Sequence, residues 1–249
     1  MNTRNKNSNQ SYWIIGKHAV EAALKNPKRI KYHLCSTKEN FTALSLNNLQ
    51  IKTDIMSRSE ISTITDNLNT HQGIALLVKP LEANNLNTYL EKNQDNQSTF
   101  IILDQITDAQ NIGAIIRSAS AFSAAGIILL DKNSPNENST MAKAAVGTLE
   151  IMPLFKVTNL VQTLNKLKKY NFWTVALDAN ANQTLKQLSD STKIFSENIG
   201  IVMGSEGKGI RELVKNNCDI IAKINIEKSI ESLNVSVALA ITLYEINRT

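Results

Sequence analysis

The part of the chain best suited to chemistry is a glycine-rich run, Ile201-Val-Met-Gly-Ser-Glu-Gly-Lys-Gly209. The apolar residues 199–203 predict a strand that enters it, and residues 210–215 predict a helix that leaves it. A loop rich in glycine lets the backbone approach a ligand closely, because few side chains stand in the way. The loop also offers one carboxylate, Glu206, and one hydroxyl, Ser205.

The glycine spacing does not identify the ligand by itself. A strand, a glycine-rich loop and a helix form a common connection in α/β proteins, and many such connections have no functional role. The run is not a phosphate-binding P-loop, because Gly209 follows Lys208 where that motif requires serine or threonine. The dinucleotide fingerprint G-x-G-x-x-G is absent as well.

A second candidate stretch precedes the glycine-rich run by about a hundred residues. Residues 104–111 predict a loop between a strand and a helix that carries Arg117. Asn111 stands two residues before Gly113, and asparagine in a tight turn there keeps its side chain free for a ligand. Taken alone, Arg117 is more often a surface ion-pair partner than a catalytic group.

A third stretch, residues 232–236 (Ser-Leu-Asn-Val-Ser), opens an apolar helix near the C-terminus. Serine and asparagine are preferred N-cap residues, so either Ser232 or Asn234 is expected to cap that helix. A cap residue can also bind a ligand, since its side chain has more than one polar atom.

Apolar strand runs alternate with helical stretches around these three segments. The runs are residues 100–103, 126–130, 172–177, 200–203 and 220–224. Such continuous apolar runs are typical of a parallel sheet that is covered on both faces. Leu160, Leu164 and Leu167 fall on one face of a predicted helix over residues 158–169, and we interpret them as core.

The N-terminal part predicts a smaller α/β unit. It combines strands at residues 12–15, 30–34, near 51 and at 74–78 with a helix over 17–25, and Ser57 and Glu60 form a capping box. The polar composition of residues 81–98 predicts a linker. The predicted organisation is a disordered extension at 1–11, a small domain at 12–80, the linker at 81–98 and a large domain at 99–249.

Composition narrows the class of protein. The chain has 249 residues, 42% hydrophobic and 20% charged, and no apolar run approaches the roughly 20 residues that span a bilayer. We therefore expect a soluble protein without a membrane partner. The net charge of +5 is compatible with a polyanionic partner such as nucleic acid, which it favours only slightly over no charged partner.

The cysteines and histidines give no metal site. Cys35 and Cys218 lack ligand spacing, and we expect buried reduced thiols in a reducing cytosol. For His18 and His71 a structural role is the commoner case, with RNA contact as the alternative. His33 has no partner that the sequence identifies, and the three histidines have no carboxylate spacing that would hold a metal.

Taken together, residues 108–118, 203–209 and 232–236 resemble the motifs of the SPOUT superfamily, in its SpoU/TrmH branch of RNA ribose 2′-O-methyltransferases. Residues 108–118 read Asp-Ala-Gln-Asn-Ile-Gly-Ala-Ile-Ile-Arg-Ser. Ala109 and Asn225 stand where the family has proline, which loosens two turns and removes no reactive group. The resemblance implies an α/β fold whose C-terminal parallel-sheet domain contains a deep trefoil knot.

Residues 15–24 and 71–75 resemble the small L30e-like α/β domain that precedes the catalytic domain in many members of this branch. By that resemblance the small domain grips the RNA substrate. Gly147 and Glu150 match a further, less diagnostic family pattern, and we interpret Glu150 as a structural carboxylate.

The resemblance also assigns roles to individual residues. It gives the catalytic group as Arg117, with Asn111, Glu206 and Asn234 orienting it and the ribose. It gives the S-adenosyl-L-methionine site as Met203, Gly204, Ile224 and Leu233. Two roles for the arginine stay open: it abstracts the proton, or it binds a phosphate and stabilises the developing alkoxide. The second role agrees better with its chemistry, because arginine, with a pKa above about 12, is a poor base.

The implied activity is methylation of a ribose 2′-hydroxyl in RNA by a cytoplasmic homodimer that needs no metal. The L30e-like domain most resembles that of enzymes acting on a guanosine of 23S ribosomal RNA. A transfer-RNA ribose 2′-O-methyltransferase is the alternative within the same class. A non-catalytic RNA-binding protein of the same fold is the alternative from another class.

Overall fold

The computed structural model describes residues 11–44, 50–65, 71–94, 96–227 and 229–248. The expected extension at 1–11 therefore lies, apart from Ser11, outside the described residues. Contacts divide the chain into two compact units. The small unit comprises Met1–Glu82 and Pro135–Ile151, and the large unit comprises Ala83–Ser134 and Met152–Thr249.

The small unit is built on a four-stranded sheet with the order β1-β4-β2-β3. Strand β4 is antiparallel to both of its neighbours, whereas β2 and β3 are parallel. Its strands are β1 (Tyr12–Ile15), β2 (Lys31–Ser36), β3 (Lys52–Ile55) and β4 (Ile74–Val78), and its helices are α1 (Lys17–Lys25), α2 (Lys38–Ala43), α3 (Arg58–Ile64) and α6 (Ser139–Ala145).

Local signals account for several of these boundaries. The predicted strand at 12–15 and helix at 17–25 are confirmed residue for residue. The capping box is confirmed too, because Ser57 Oγ accepts the Glu60 amide at 3.3 Å while Glu60 Oε2 accepts the Ser57 amide at 2.7 Å. One feature was not predicted: residues 135–151 belong by their contacts to the small unit, although the sequence places them inside the large domain.

A buried charge cluster holds residues 135–151 in the small unit. The Arg29 side chain is fully buried and donates to both carboxylate oxygens of Glu150, at 3.0 and 2.6 Å. It also donates to Glu137 and to the Lys79 carbonyl oxygen. Burial, reinforced by the nearby Glu137 carboxylate, raises the pKa of Tyr12, so that its hydroxyl remains a donor to Glu137. Glu150 is thus the structural carboxylate that the sequence indicated.

Two histidines of the small unit, His71 and His33, have partners within it. His71 is buried, its Nε2 lies 2.9 Å from Ser62 Oγ, and its Nδ1 accepts the Gly73 amide at 2.9 Å. Burial lowers the pKa of His71, which favours the neutral ring that this acceptor role needs. His33, for which the sequence identified no partner, has one: its Nε2 lies 2.7 Å from Asp54 Oδ2.

Neither cysteine is suited to reaction. Burial raises the pKa of Cys35 to about 11 and that of Cys218 to about 12, which favours the thiol form of both. Both are free cysteines; Cys35 is buried as predicted, whereas Cys218 is partly buried. In the described part of the chain, no helix is long and apolar enough to cross a bilayer. Those same residues bring together no group of three or more His, Cys, Asp or Glu side chains able to hold a metal.

The large unit contains the predicted parallel sheet, with seven strands in the order β7-β6-β5-β10-β8-β11-β9. The strands are β5 (Thr99–Asp104), β6 (Gly126–Leu130), β7 (Leu154–Val157), β8 (Phe172–Leu177), β9 (Gln183–Thr184), β10 (Asn198–Gly204) and β11 (Ile220–Lys223). The helices are α4 (Leu86–Lys92), α5 (Ala109–Ala121), α7 (Leu160–Lys169), α8 (Leu185–Ser191), α9 (Glu212–Lys215) and α10 (Val235–Arg248).

The core of the large unit explains why its strands are apolar throughout. The Phe100 ring meets the Phe155 ring edge to face and the Phe172 ring at a tilt, with centroids 5.6 and 5.4 Å away. Leucines of α7 pack onto them, and the three are those predicted as core: Leu160, Leu164 and Leu167. Elsewhere in the unit, α5 and α10 pack against each other. This pairing brings the start of α10 near the start of α5.

The backbone passes itself very closely at the end of β10. A Cβ atom on Gly204 would lie 2.1 Å from the Gly209 carbonyl carbon and 2.3 Å from the Ile210 nitrogen. Ser205 and Gly209 close the loop by two backbone hydrogen bonds, of 3.2 and 2.8 Å. Gly209 has a φ of +65°, which glycine adopts without strain. Only glycine therefore fits at position 204.

Replacing Glu150 by alanine is expected to destabilise the small unit strongly. The change leaves the buried Arg29 guanidinium without its bidentate partner, and breaking a buried pair costs about 3 kcal/mol or more. The exposed pair of Glu21 and Lys25 provides the matched control, since Glu21→Ala should cost about 0.5 kcal/mol or less. Urea unfolding followed by Trp13 fluorescence, in a Trp173→Phe background, measures both; equal losses would contradict the role of the cluster.

Gly204→Ala should destabilise the large unit, because the new methyl group meets backbone atoms that cannot move independently. We expect a loss of about 2–3 kcal/mol, in the range of overpacked cores. Gly207→Ala is the control from the same loop, since nothing lies within 4 Å of a Cβ there, and it should change stability by about 0.5 kcal/mol or less. Urea unfolding followed by Trp173, in a Trp13→Phe background, would disprove the expectation if the two variants were equally stable.

Candidate active site

The candidate site lies at the carboxyl ends of the central strands of the large unit. Strands β5 and β10 are neighbours there, and Asp104 pairs in register with Gly204 at their last residues. After β5 the next two strands, β6 and β7, are added towards one edge of the sheet. The following strand, β8, is added on the opposite side of β5, towards the other edge. Ligands of open parallel sheets bind at the carboxyl edge where the strand order changes direction in this way.

Asn111 reaches this edge from the first turn of α5. The Asp108 side chain caps the helix by accepting the Gln110 amide at 3.0 Å, so α5 begins at Ala109. The predicted tight turn at Asn111 is therefore wrong, because the cap of Asp108 starts the helix two residues earlier. The Asn111 side chain is not free either: it takes part in a polar cluster.

Three of the predicted site residues form that cluster. Glu206 Oε1 accepts from Asn111 Nδ2 at 3.1 Å and from Asn234 Nδ2 at 2.7 Å. Asn234 Nδ2 also donates to Asn111 Oδ1 at 2.9 Å, and the Val235 amide lies 3.4 Å from the same Glu206 oxygen. Asn111 lies 95 positions from Glu206 in the chain and Asn234 lies 28 positions from it, yet both bind the same Glu206 oxygen. We call Asn111, Glu206 and Asn234 the amide–carboxylate cluster.

Asn234 has two functions at once. Its Oδ1 accepts the Ser236 amide at 2.9 Å and the Val237 amide at 3.4 Å, which makes it the N-cap of α10, as predicted for Asn234 or Ser232. Its Nδ2 is thereby turned away from the helix and towards Glu206 and Asn111. The cap fixes the side-chain orientation on which the cluster depends.

Arg117 lies outside this cluster. It is exposed on α5, six residues after Asn111, which is about 9 Å along the helix axis. Within the described part of the chain it makes no hydrogen bond or ion pair. The interpretation of Arg117 as a surface ion-pair partner is therefore not supported, and its five N–H donors are available to a ligand.

The four residues that the resemblance assigns to the cofactor lie at the end of a strand, directly after one or next to the cluster. Met203 is buried at the end of β10 and is followed by Gly204. Ile224 comes directly after β11, Leu233 directly before Asn234, and both are partly buried. Parallel strands bring their carboxyl ends to one edge, so the structure places this set on the side of the sheet that carries the cluster.

Sequence reasoning missed one pair at the same place. Asp104 is fully buried, and its carboxylate accepts the Arg211 amide at 2.9 Å, Arg211 Nε at 2.8 Å and Arg211 Nη2 at 2.7 Å. The helix predicted over 210–215 is shorter for this reason: with the Arg211 amide held by Asp104, α9 begins at Glu212. The sequence signal that could have indicated a buried, paired carboxylate is the aspartate that ends the apolar strand β5.

An open cavity of about 960 Å³ lies apart from these residues, near α8, α9 and the start of β11. Its walls include Asp178 and Lys215, which pair with each other at 2.9 Å, and none of the residues of the cluster or of the predicted cofactor set. Size alone therefore does not identify the functional site in this unit.

Comparison with known proteins agrees with the geometry. The model of the SpoU rRNA methylase family matches residues 98–244, and that for RNA 2′-O ribose methyltransferase substrate binding matches residues 13–83. The 23S rRNA (guanosine-2′-O-)-methyltransferase RlmB of Pseudomonas aeruginosa is 35% identical over 96% of this chain and 97% of the relative. YacO of Bacillus subtilis, named for the TrmH family of tRNA/rRNA methyltransferases, is 32% identical over 97% of both chains.

Solved structures show the same fold. The SpoU methyltransferase AviRb of Streptomyces viridochromogenes, crystallised with AdoMet, has a TM-score of 0.78 at 18% identity and covers 96% of this chain and 89% of its own. An AdoMet-bound rRNA methyltransferase of Sinorhizobium meliloti has a TM-score of 0.74 at 21% identity, covering 96% of this chain and 87% of its own. These likenesses confirm the expected α/β SPOUT fold with a small N-terminal α/β part. With both family models matched, the chain belongs to the SpoU rRNA methylase family and is an RNA 2′-O-methyltransferase of the SpoU/TrmH type.

Proposed function

We propose that this protein transfers a methyl group from S-adenosyl-L-methionine to the 2′-hydroxyl of a guanosine ribose in 23S ribosomal RNA. The observation that carries the proposal is the intact amide–carboxylate cluster at the carboxyl edge of the sheet. Arg117, which has no partner among the described residues, lies on the same helix as Asn111. A protein that had lost catalysis would have no need to keep these polar groups bonded at an exposed edge.

The identity of the RNA rests on similarity. The Pseudomonas aeruginosa relative carries the 23S guanosine activity in its name, whereas the Bacillus subtilis relative is named for both tRNA and rRNA. Transfer RNA is therefore the second candidate substrate. The substrate-binding family model over residues 13–83 supports a small domain, at 12–80, that grips the RNA. In this proposal residues 81–98, which include α4 of the large unit, connect it to the methyltransferase domain at 99–249. The enzyme is proposed to work in the cytoplasm.

The residues at the carboxyl edge suit the proposed cofactor. Ile224 and Leu233 are partly buried and offer apolar surface for an adenine ring, while the buried Met203 lies beside Gly204 at the end of β10. The loop has room beside it, because nothing lies within 4 Å of a Cβ position at Gly207. Gly204 brings backbone groups of the loop to the sheet edge, where they can bond a base or a ribose. When bound, S-adenosylmethionine supplies the methyl group as an electrophile on a sulfonium.

Arg117 acts, in this proposal, on the acceptor ribose. Its exposed guanidinium is suited to a bidentate grip on the phosphate next to the 2′-hydroxyl. The same positive charge stabilises the alkoxide that develops as the hydroxyl gives its proton to a water molecule while the methyl group is transferred. A guanidinium is a poor proton acceptor, so stabilisation of the alkoxide is preferred to proton abstraction.

Glu206, Asn111 and Asn234 hold the acceptor side of the site in one geometry. Each amide is oriented by the shared carboxylate oxygen, and the second Glu206 oxygen faces no other described partner. That oxygen is available to accept a hydrogen bond from a ribose hydroxyl. Positioning of this kind lowers the activation barrier, because the reacting oxygen is already held in the orientation that methyl transfer requires.

We also propose the trefoil knot that the family resemblance implies. The order of the strands supports it. Strand β10 lies between β5 and β8, both of which precede it in the chain, so it is inserted into the sheet after its neighbours.

A homodimer completes the proposal. On α10, Val237, Ile241 and Tyr244 are 47%, 41% and 60% exposed and follow a helical spacing of four and three residues. The opposite side of α10 carries the buried Leu239 and Leu243. An apolar stripe left exposed on a helix is typical of an interface between protein chains.

Arg117→Ala should lower methyl transfer to 23S ribosomal RNA by about 100- to 1000-fold, the usual effect of removing a group that stabilises developing charge. Labelled methyl incorporation into protein-free 23S RNA and, separately, into bulk transfer RNA measures it. Arg117→Lys keeps the charge without the bidentate fork, and Lys186→Ala is the control for loss of an exposed cation elsewhere. Binding of S-adenosylmethionine, measured by calorimetry, should be unchanged in all three.

Each outcome of that assay has a clear meaning. Label only in transfer RNA would keep the chemistry and replace the substrate. No label in either RNA, with no cofactor binding, would favour the non-catalytic RNA-binding protein. Full activity of Arg117→Ala would remove the arginine from the mechanism.

Tyr244→Glu combined with Ile241→Glu should convert the dimer into monomers of 27.6 kDa, because two carboxylates cannot be buried unpaired in an apolar interface. Sedimentation equilibrium measures the mass. Ile151→Glu, at a residue of the small unit that is 73% exposed, is the matched control and should leave the dimer intact. A wild-type protein that sediments as a monomer would refute the dimer.

A further inference from the structure

We propose that Asp104 and Arg211 are positioning residues for methyl transfer, which act by fixing the loop that carries Glu206. The inference rests on the proposed function and extends it to two residues outside the amide–carboxylate cluster. Neither residue needs to touch a substrate for this role. Their contribution is to hold Glu206 where it meets Asn111 and Asn234.

The contact between Asp104 and Arg211 is strong and specific. The carboxylate is fully buried, and both of its oxygens are used: Oδ2 accepts the Arg211 amide at 2.9 Å, and Oδ1 accepts Nε at 2.8 Å and Nη2 at 2.7 Å. A buried carboxylate that lost these donors would keep its desolvation penalty without compensation. The backbone of Arg211 is therefore held against the end of β5.

This contact closes the base of the glycine-rich loop. The loop leaves the sheet at Gly204, which pairs in register with Asp104, and it returns at Arg211, which is bonded to the same Asp104. Between these points Ser205 and Gly209 are joined by two backbone hydrogen bonds. Both ends of the loop are thus fixed relative to one residue of β5.

Asp104 also fixes the other side of the cluster. Directly after it, Gln105 has a φ of +58°, an unusual backbone angle for a residue with a side chain, and the chain turns into α5. Asn111 lies in the first turn of that helix. The loop bearing Glu206 and the helix bearing Asn111 are therefore joined twice, through Asp104 at the base and through Asn111 Nδ2 and Glu206 Oε1 at the tip.

The two links differ in exposure, and this difference defines their roles. Asp104 is buried and paired, so it cannot meet RNA or cofactor. Glu206 is exposed and retains an oxygen for a ligand. A displacement of the loop by about 1 Å is enough to lower a rate by about 100-fold when it moves a positioned group. Asp104 and Arg211 prevent that displacement.

Asp104→Asn tests the inference, because it keeps the shape of the side chain while removing its charge and one acceptor. We expect kcat for methyl transfer to fall about 10- to 100-fold with a smaller change in KM for RNA. Arg211→Lys keeps the charge and the backbone amide but loses the fork, and it should recover part of the activity. Hydrogen exchange should show faster exchange of the amides at 205–211 in Asp104→Asn than in wild type.

Asp219→Asn is the matched control from the same unit. Asp219 Oδ2 accepts the Thr174 amide at 2.9 Å and the Thr174 hydroxyl at 2.6 Å, and Oδ1 pairs with Lys168 at 2.8 Å. Its loss should lower the melting temperature without changing kcat or exchange at 205–211. A merely structural role for Asp104 predicts the same pattern for both variants.

The outcomes separate this inference from the proposed function. If wild type transfers methyl groups and Asp104→Asn behaves like Asp219→Asn, the positioning role is wrong and the function stands. If wild type transfers no methyl group, the proposed function fails, while exchange at 205–211 still reports whether Asp104 holds the loop. Unchanged exchange in Asp104→Asn would overturn the inference in either case.

Discussion

The close passage of the backbone at Gly204 is the constraint on which the large unit depends. Two backbone segments meet where a Cβ atom would lie 2.1 Å from the Gly209 carbonyl carbon. Because no side chain separates them, the end of β10 and the returning end of its loop lie in backbone contact at the sheet edge. Glu206 is carried to that edge by this turn, and the cluster with Asn111 and Asn234 can form only there.

Polar satisfaction explains why the cluster has a single arrangement. Asn234 uses its oxygen as the cap of α10 and its amide for Glu206 and Asn111, so rotation of the side chain would break bonds on both sides. The start of α10 is thereby tied to the start of α5 and to the glycine-rich loop. The same side chain therefore caps the helix and holds the residues of the site together.

Periodicity and capping signals predicted much of the fold. The strands at 126–130 and 172–177 and the capping box at Ser57 have the predicted bounds. Strands β7 and β9 were missed, because four residues containing Lys156 and a two-residue strand are too short to show a pattern. The meeting of residues 111, 206 and 234 followed from no spacing rule; only the resemblance to a family identified them.

The pair of Asp104 and Arg211 marks the limit of such reasoning, since 107 residues separate the partners and neither belongs to a periodic pattern. Burial distinguishes the two carboxylates at this edge. Asp104 is completely enclosed and uses both of its oxygens to bind Arg211, whereas Glu206 is exposed and one of its oxygens accepts from three amide groups. A site needs both kinds, because an exposed group keeps a defined position only when a buried one fixes the loop that carries it.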